Sequence, residues 1–210
     1  MTKPKLLLLD LDGVLGDYSH DIRCRALAEV TGATDKYVHD AVFTSGLEAR
    51  ADRGEFDLDT YIDLLRSEWG LTIPNEAFIQ ARKQATRVRP GMLKLCEQLS
   101  QQVQLGIFSN NAHWFSQHAE RIVPELMPLF RSRFVCSGSL GFAKPDETGF
   151  TQCLQRLGFS PGSTLFVDDK IKNVEGAKLA GLDAFIFESE EQFISELSTR
   201  NLRLGALNAY

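Results

Sequence analysis

The stretch LLLLDLDGVL, residues 6–15, decides the fold of this 210-residue chain. Four consecutive leucines are typical of a short strand buried on both faces, as in the centre of a parallel sheet. Asp10, Asp12 and Gly13 follow directly, so this strand would deliver two carboxylates to the edge at which open α/β sheets bind ligands. Turn propensity alone also explains Asp and Gly here, and the remainder of the chain has to decide between the two interpretations.

Two neighbouring carboxylates need a partner, because burying each ion unpaired costs several kcal/mol in lost hydration. A cation between Asp10 and Asp12 would offset this cost. Mg²⁺ suits such an all-oxygen site, and it usually arrives with water and substrate phosphate. The first motif therefore favours a magnesium site over a simple turn only if other charged groups converge on the same place.

Composition narrows the class of protein. The chain is 43% hydrophobic, enough for a packed core, and carries a net charge of −5 without a dense Lys/Arg tract, so we expect neither a nucleic-acid partner nor an anionic membrane partner. The apolar run near the start is too short for a signal peptide, and no run of about twenty apolar residues follows. We therefore expect a soluble cytoplasmic protein. The sequence leaves open whether it is a monomer or a homodimer.

The four cysteines are widely separated and show no C-x-x-C spacing or paired histidines. This pattern predicts neither a zinc site nor a redox pair. We expect free thiols buried in the core, the usual environment of an unpaired cysteine.

Residues 18–88 show only helical periodicity, and we predict helices over 22–30, 36–44, 58–69 and 76–87. The predicted division is thus a core domain of residues 1–17 and 89–210 with an inserted helical cap of residues 18–88. The cap is either a bundle with no role beyond packing or a lid over Asp10. We favour the lid, because a phosphoryl-transfer site benefits from excluding bulk water. The cap residues available to meet an anion are Arg50, Arg53, Lys83 and Arg87, although a solvated helix face explains each of them at least as well.

Beyond the cap, strand and helix patterns alternate, and we predict further strands over 103–108, 134–136, 164–167 and 184–187. Alternation of this kind indicates an α/β fold: a three-layer Rossmann-like core with a parallel sheet, plus a small all-helical cap inserted after the first strand. The carboxyl ends of parallel strands open onto one edge of the sheet. Side chains that follow different strands should therefore meet there.

Chemistry-bearing side chains do follow these strands. Ser109 and Asn110 end the second core strand, Lys144 precedes a helix after the third, and Asp168 and Asp169 end the fourth. Turn propensity explains any one of these groups but not the set. Two carboxylate pairs, a hydroxyl and an ammonium together are what metal-assisted phosphoryl transfer requires.

At these residues the chain resembles the haloacid dehalogenase-like hydrolase superfamily. The resemblance rests on four motifs in order: DLDGVL at 10–15, SNN at 109–111, AKPD at 143–146 and VDDKIKNVEGAKLAG at 167–181. The insertion resembles the helical cap of the subgroup with sugar phosphatases, phosphoglycolate phosphatases, β-phosphoglucomutase and dehalogenases. Within it, ARADRGEFDLDTY at 49–61 is most similar to the α-glucose-1-phosphate phosphatase branch, which is akin to the N-terminal phosphatase domain of epoxide hydrolases.

The resemblance implies roles for individual residues. Asp10 would be the nucleophile that forms an aspartyl-phosphate, and Asp12 would protonate the leaving oxygen and then activate water. Ser109, backbone N–H groups near Asn110, and Lys144 would bind the phosphoryl oxygens. Asn173 would support the metal ligands from behind. Mg²⁺ would be held by Asp10, the carbonyl of Asp12, Asp168 and Asp169.

The function implied is a Mg²⁺-dependent phosphatase for a small phosphorylated metabolite: a sugar phosphate first, then phosphoglycolate or a nucleoside monophosphate. A phosphosugar mutase would use a cap histidine, but His20 lies closer to Asp10 than that pattern requires. A dehalogenase needs no metal and would not be expected to keep Asp12 or the Asp168/Asp169 pair. A non-catalytic phosphate-binding module would be suggested by loss of Asp10 or Asp12, and both are present.

Overall fold

The computed structural model describes residues 3–204, so residues 1–2 and 205–210 of the predicted core domain lie outside the described residues. The strands are β1 (Leu6–Leu9), β2 (Gly16–Tyr18), β3 (Thr86–Val88), β4 (Gln104–Ser109), β5 (Phe134–Cys136), β6 (Thr164–Asp168) and β7 (Asp183–Ile186). Five of them form one parallel sheet in the order β5-β4-β1-β6-β7. The predicted fold class is confirmed.

Helices occupy both faces of this sheet. In chain order they are α1 (His20–Thr31), α2 (Asp35–His39), α3 (Leu47–Asp52), α4 (Leu58–Trp69), α5 (Asn75–Gln84), α6 (Pro90–Leu99), α7 (His113–Gln117), α8 (Ala119–Ile122), α9 (Met127–Phe130), α10 (Glu147–Leu157), α11 (Ile171–Leu179) and α12 (Glu190–Thr199). No helix within residues 3–204 combines the length and the apolar character needed to cross a membrane.

The four leucines of β1 explain why this strand is central. All four are fully buried, and successive side chains of a strand point to opposite faces. Leu6 and Leu8 belong to a hydrophobic cluster with α10 and α11, whereas Leu7 and Leu9 belong to a larger cluster that includes α6 and α12. A strand covered on both faces requires apolar residues at every position, which is what this stretch supplies.

The cap is helical as predicted, but the predicted end of its last helix is wrong. The chain enters and leaves the cap through β2 and β3, which pair as a two-stranded antiparallel ribbon. The helix predicted over 76–87 therefore ends at Gln84. Once the entering and leaving segments lie side by side, they satisfy each other's backbone hydrogen bonds, and this long-range pairing has no local periodicity that a sequence could display.

Other cap boundaries also differ from the prediction. The helix predicted over 36–44 is divided into α2 and a π-helical turn, Asp40–Thr44. Helix α3 was not predicted, and α12 in the core was not predicted either. Helix α3 has only six residues, of which two, Leu47 and Ala51, are buried. Periodicity over so few residues gives a weak signal.

A buried polar network holds the cap helices together. The guanidinium of Arg23 is fully buried; it donates to Glu48 Oε1 at 2.5 Å and to the Tyr18 hydroxyl at 2.9 Å. Tyr61 donates to the other Glu48 oxygen at 2.6 Å. Because the charge of Arg23 is matched by that of Glu48, the interior of the cap tolerates a residue type that is almost never buried unpaired.

The cap also contacts the core directly. Ser137, which follows β5, donates from its hydroxyl to the carbonyl oxygen of Asp52 at 2.6 Å. At Gly54 a Cβ would lie 2.3 Å from the carbonyl oxygen of Gly138, so only glycine permits this approach of the two backbones.

The four cysteines are buried free thiols, as predicted.

Helix α11 packs against the loop after β5 so closely that Gly176 has no room for a side chain. A Cβ there would lie 2.1 Å from the carbonyl oxygen of Pro145. We predict that Gly176→Ala lowers the free energy of unfolding in urea by about 1–3 kcal/mol, because a backbone oxygen cannot move aside without displacing the loop. Gly162 has no atom within 4 Å of its added Cβ, and Gly162→Ala should change that free energy by less than about 0.5 kcal/mol. Equal effects of the two substitutions would contradict the close packing.

Candidate active site

The predicted site residues converge at the carboxyl edge of the sheet. Asp10 follows β1, Ser109 ends β4 and Asp168 ends β6, and these three strands are neighbours with parallel register. Lys144 reaches the same place from the loop between β5 and α10. Topology thus brings together groups that are more than 150 residues apart in the sequence.

Lys144 is the centre of this cluster. Its ammonium is fully buried and lies 2.8 Å from Asp10 Oδ1, 2.7 Å from Asp168 Oδ2 and 2.9 Å from the carbonyl oxygen of Phe108. Two of its three N–H donors form hydrogen bonds, with Asp168 and the Phe108 carbonyl, and Asp10 is in ion contact with the ammonium. Burial alone would lower the pKa of Lys144, but the charges of Asp10 and Asp168 outweigh it and raise that pKa. The lysine is therefore held in its charged form.

Asp10 has two unlike oxygens. Oδ1 accepts from the backbone N–H of Leu11 at 2.7 Å and is in ion contact with Lys144 at 2.8 Å, whereas Oδ2 accepts no hydrogen bond from residues 3–204. Burial raises the pKa of Asp10 to about 7; the Lys144 ammonium opposes this rise and the charge of Asp168 adds to it. One oxygen is fixed and the other is left for a ligand, which is the geometry that a carboxylate nucleophile needs.

Asp168 is fixed more completely. Its Oδ1 accepts from the backbone N–H of Lys170 and from the side-chain amide of Asn173, both at 2.9 Å, and its Oδ2 accepts from Lys144. Burial would raise the pKa of Asp168, but the Lys144 ammonium and these hydrogen bonds lower it. The side-chain amide of Asn173 therefore holds Asp168 in place.

Asp169 approaches the first motif. A Cβ on Gly13 would lie 2.3 Å from Asp169 Oδ2, and Gly13 has a positive φ of 96°, so this position admits only glycine. The Oδ1 atom of Asp169 is buried without a hydrogen bond among the described residues. Burial and the neighbouring charge of Asp168 raise the pKa of Asp169.

These carboxylates fit a divalent cation. Oxygen atoms of Asp10, Asp168 and Asp169 lie within 4.8 Å of one another. When ionised they carry three negative charges against the one positive charge of Lys144, and the unpartnered Oδ1 of Asp169 is the kind of atom that a cation would satisfy. An all-oxygen donor set with excess negative charge suits Mg²⁺. The carboxylate of Asp12 lies outside this group, so its predicted part as a ligand rests on its backbone carbonyl.

Asp12 is held by a cap residue instead. Its Oδ2 accepts from Arg82 Nη2 at 2.6 Å and from the Asn111 side-chain amide at 3.2 Å. Its Oδ1 is buried and has no hydrogen bond among the described residues. The two oxygens of Asp12 therefore differ in the same way as those of Asp10, with one fixed and one left for a ligand.

In the SNN motif, Ser109 is available to a ligand, whereas the side chain of Asn110 holds the loop that carries Lys144. Ser109 is buried and its hydroxyl oxygen accepts from the Asn111 amide at 2.8 Å, which leaves the hydroxyl proton for a ligand. The side chain of Asn110 donates to the Lys144 carbonyl and accepts from the Lys144 backbone N–H, both at 2.8 Å. The Asn110 side chain therefore positions the lysine loop, and any contact of Asn110 with a phosphoryl group would come from its backbone.

The cap cation at this site is not one of the four that the sequence suggested. Arg50 and Arg53 pair with Glu55 at the surface, and Lys83 and Arg87 are exposed. Arg82 was not predicted from the sequence, although the position of this arginine in its helix was informative. It lies on the apolar side of α5 with Phe78, Ile79 and Ala81, where an arginine needs a buried partner. Asn111 belongs to the SNN motif, but no local pattern distinguishes it from a helix-capping residue.

Comparisons with known proteins agree with this geometry. The sequence profile of the haloacid dehalogenase-like hydrolases matches residues 4–181. Acyl-CoA dehydrogenase family member 10 of Mus musculus is 30% identical over 119 residues, which cover 55% of this chain and 11% of that protein. Flavin mononucleotide hydrolase 1 of Arabidopsis thaliana is 26% identical over 116 residues, which cover 55% of this chain and 46% of that protein. The chain thus spans less than half the length of these relatives.

Phosphatase MT3486 of Mycobacterium tuberculosis is 31% identical over 90 residues, which cover 43% of this chain and 41% of that protein. Among solved structures, a HAD-like hydrolase from Porphyromonas gingivalis has a TM-score of 0.77 at 22% identity and covers 97% of this chain and 100% of its own. A HAD family enzyme from Bacteroides thetaiotaomicron, in complex with magnesium and inorganic phosphate, has a TM-score of 0.74 at 19% identity and covers 89% and 96%.

At these identities the two structures show the fold, and the profile, which spans most of the chain and all four motifs, shows the family. The relatives that are named as hydrolase and phosphatase agree with an enzyme of the hydrolase class. The chain therefore belongs to the haloacid dehalogenase-like hydrolases.

Proposed function

We propose that the protein is a Mg²⁺-dependent phosphatase that hydrolyses a small phosphate monoester through an aspartyl-phosphate. The observation that carries this proposal is the position of Lys144, which lies within 2.8 Å of both Asp10 and Asp168. A nucleophilic carboxylate, a buried ammonium and a cluster of further carboxylates at one edge are the parts that phosphoryl transfer needs.

In the first half of the reaction, Asp10 Oδ2 attacks the phosphorus atom. A bond forms between this oxygen and phosphorus, and the bond from phosphorus to the ester oxygen breaks. The ester oxygen keeps the electron pair and takes a proton from Asp12. Ser109 and the Lys144 ammonium lie at the same edge, where the hydroxyl and the positive charge would stabilise the negative charge of the phosphoryl oxygens as it redistributes.

In the second half, a water molecule replaces the alcohol that has left. Asp12 is now ionised and accepts a proton from this water as its oxygen bonds to phosphorus. The bond from phosphorus to Asp10 breaks, which regenerates the carboxylate and releases inorganic phosphate. The free Oδ1 of Asp12 is the atom available for both proton transfers.

The metal would be held by Asp10, Asp168, Asp169 and the carbonyl of Asp12. When bound, Mg²⁺ supplies positive charge that reduces repulsion between the phosphate and Asp10 and favours the ionised form of that carboxyl group. The magnesium and phosphate in the Bacteroides neighbour support this assignment.

For the substrate we propose a small phosphorylated metabolite, with a sugar phosphate as the first choice. The name of the Arabidopsis relative makes flavin mononucleotide a necessary member of any substrate panel. The mutase alternative would need a cap histidine at the site, whereas His20 stacks on Phe43 with ring centroids 4.0 Å apart. Turnover of a haloacid in the presence of chelator, or conversion of one hexose phosphate isomer into another without phosphate release, would contradict the phosphatase assignment.

We predict that the purified protein releases phosphate from members of a panel of phosphorylated metabolites and that Asp10→Asn abolishes this release, because an amide oxygen cannot serve as the nucleophile. Asp17→Asn is the matched control, since Asp17 is exposed and pairs with Arg89. It should keep activity within about twofold, as expected for a surface pair. Phosphate release by Asp10→Asn at the wild-type rate would contradict the mechanism.

Lys144→Ala should lower kcat by about 100-fold or more, by analogy with the loss of an oxyanion donor. The substitution also leaves Asp10 and Asp168 without their shared partner, so the unfolding midpoint should fall as well. Exposed Lys94 on α6 provides the control, and Lys94→Ala should leave both quantities unchanged. Steady-state kinetics and thermal unfolding measure the two effects separately. A Lys144→Ala enzyme with wild-type kcat would show that the ammonium does not act on the transition state.

Mg²⁺ should stabilise the folded protein, because a ligand that binds only the native state raises the free energy of unfolding by about 2.7 kcal/mol at a hundredfold excess over Kd. We expect the thermal midpoint to rise by about 5 °C or more, on the usual scaling for this chain length. Asp169→Asn should reduce this rise and Asp17→Asn should not, and chelator should stop phosphate release by the wild type. An Mg²⁺ response that is the same in Asp169→Asn and the wild type would exclude Asp169 as a ligand.

A further inference from the structure

Arg82 is a charged side chain in an unusual place. Only 1% of its surface is exposed, although it belongs to a cap helix at the boundary with the core. The guanidinium carbon lies 3.7 Å from the centre of the Tyr18 ring and 4.8 Å from that of Phe115. The ring faces attract the cation, but its burial is still costly unless its donors are matched by acceptors.

The donors of Arg82 are matched on two sides. Nη1 donates to the Thr86 hydroxyl at 2.5 Å, and this hydroxyl donates in turn to the Arg82 carbonyl at 2.8 Å, which fixes the side chain against its own helix end. Nη2 donates to Asp12 Oδ2 at 2.6 Å and to Asn111 Oδ1 at 3.3 Å. The guanidinium therefore cannot swing away without breaking several hydrogen bonds at once.

The consequence falls on Asp12. Its Oδ2 is held by Arg82 and Asn111, while its buried Oδ1 has no partner among residues 3–204. A carboxyl group that exchanges a proton with the ester oxygen must present one defined oxygen at a defined angle. Fixing Oδ2 determines where Oδ1 points, and a proton on Oδ1 leaves Oδ2 free to keep accepting from the guanidinium.

We propose that Arg82 is a positioning residue for the reaction, which holds Asp12 so that its free oxygen delivers a proton to the leaving alcohol. This inference rests on the proposed phosphatase function. Arg82 does not touch the phosphoryl group; it acts through Asp12. Because Arg82 lies in the cap and Asp12 in the core, the proton donor is correctly oriented only by the two parts of the chain together.

A purely structural role is the competing explanation, since a buried ion pair could simply attach the cap to the core. The two roles differ in their dependence on the leaving group. The leaving group of an aryl ester such as 4-nitrophenyl phosphate departs as a stable anion, so protonating it gains little. The leaving group of an alkyl phosphate is a strongly basic alkoxide, which needs a proton in order to depart. Structural damage slows both esters alike, whereas loss of positioning slows the alkyl ester selectively.

The experiment compares kcat/KM for 4-nitrophenyl phosphate and for the best alkyl phosphate of the panel, because kcat/KM includes the step in which the alcohol leaves. For Arg82→Gln we expect a loss of about 10- to 100-fold with the alkyl ester and of less than about threefold with the aryl ester, within the usual range of general acid catalysis. Arg82→Lys keeps a charge but not the two-sided hydrogen bonding, and it should recover part of the alkyl activity. It also serves as the second variant should Arg82→Gln fold poorly.

Two further variants make the result specific. Arg23→Gln removes the other fully buried cap arginine, which binds Glu48 and the Tyr18 hydroxyl but not Asp12, and any loss should be the same for both esters. In an Asp12→Asn background, Arg82→Gln should add no further selective loss, because the group that it positions is already gone. Thermal unfolding of each variant checks that it is folded at the assay temperature.

The outcomes are distinguishable. Selective loss with the alkyl ester in Arg82→Gln, together with non-additivity in the Asp12→Asn background, supports the positioning role. Equal losses for the two esters, or a selective loss in Arg23→Gln of the same size, overturn it while leaving the phosphatase function intact. A wild-type protein that hydrolyses neither ester overturns the proposed function and this inference with it.

Discussion

The contact on which the site depends is that of the Lys144 ammonium with Asp10 and Asp168. Each of these three groups would be expensive to bury alone, and each is tolerated because the other two are present. The lysine comes from a loop and the two carboxylates from the ends of adjacent strands, so the ion contact requires the parallel register of the sheet. Parallel pairing, in turn, requires the unbroken run of buried leucines with which the chain begins its fold. Electrostatics and hydrophobic burial therefore specify the same arrangement.

Backbone packing makes that contact exact enough for chemistry. The Asn110 side chain holds the lysine loop through both polar backbone groups of Lys144, and the absence of a side chain at Gly176 lets α11 press against the same loop at Pro145. Helix α11 also carries Asn173, which holds Asp168. Helix α11 thus positions Lys144 by packing against its loop, and it positions Asp168 through the amide of Asn173. Hydrogen bonds of this kind determine orientation rather than overall stability, because each replaces a hydrogen bond to water and contributes little net free energy.

What the sequence could predict follows from how far apart the determining residues lie. The core strands and the side chains that end them were predictable, because a buried strand is a local pattern and the parallel topology then places the ends together. The ribbon of β2 and β3 was not, since its two strands are separated by the whole cap and have no periodicity of their own. The four cap cations chosen from the sequence were exposed or paired at the surface, whereas Arg82 acts from the apolar side of its helix. An arginine is buried only where the fold supplies a partner. The partner of Arg82 is Asp12, which is too distant in the sequence to be recognised from a local pattern.

The ribbon of β2 and β3 does more than connect the cap to the core, because it also supports the pairing of Arg82 with Asp12. Thr86, the first residue of β3, accepts from Arg82, and Tyr18, the last residue of β2, provides one of the rings that enclose the guanidinium. The two strands that join cap to core thus build the pocket in which the arginine sits. A flexible junction of two unpaired segments would leave this cation in water, where a contact with a carboxylate contributes little. Pairing the segments as a ribbon keeps Arg82 buried, so the connection between cap and core also determines how firmly Asp12 is held.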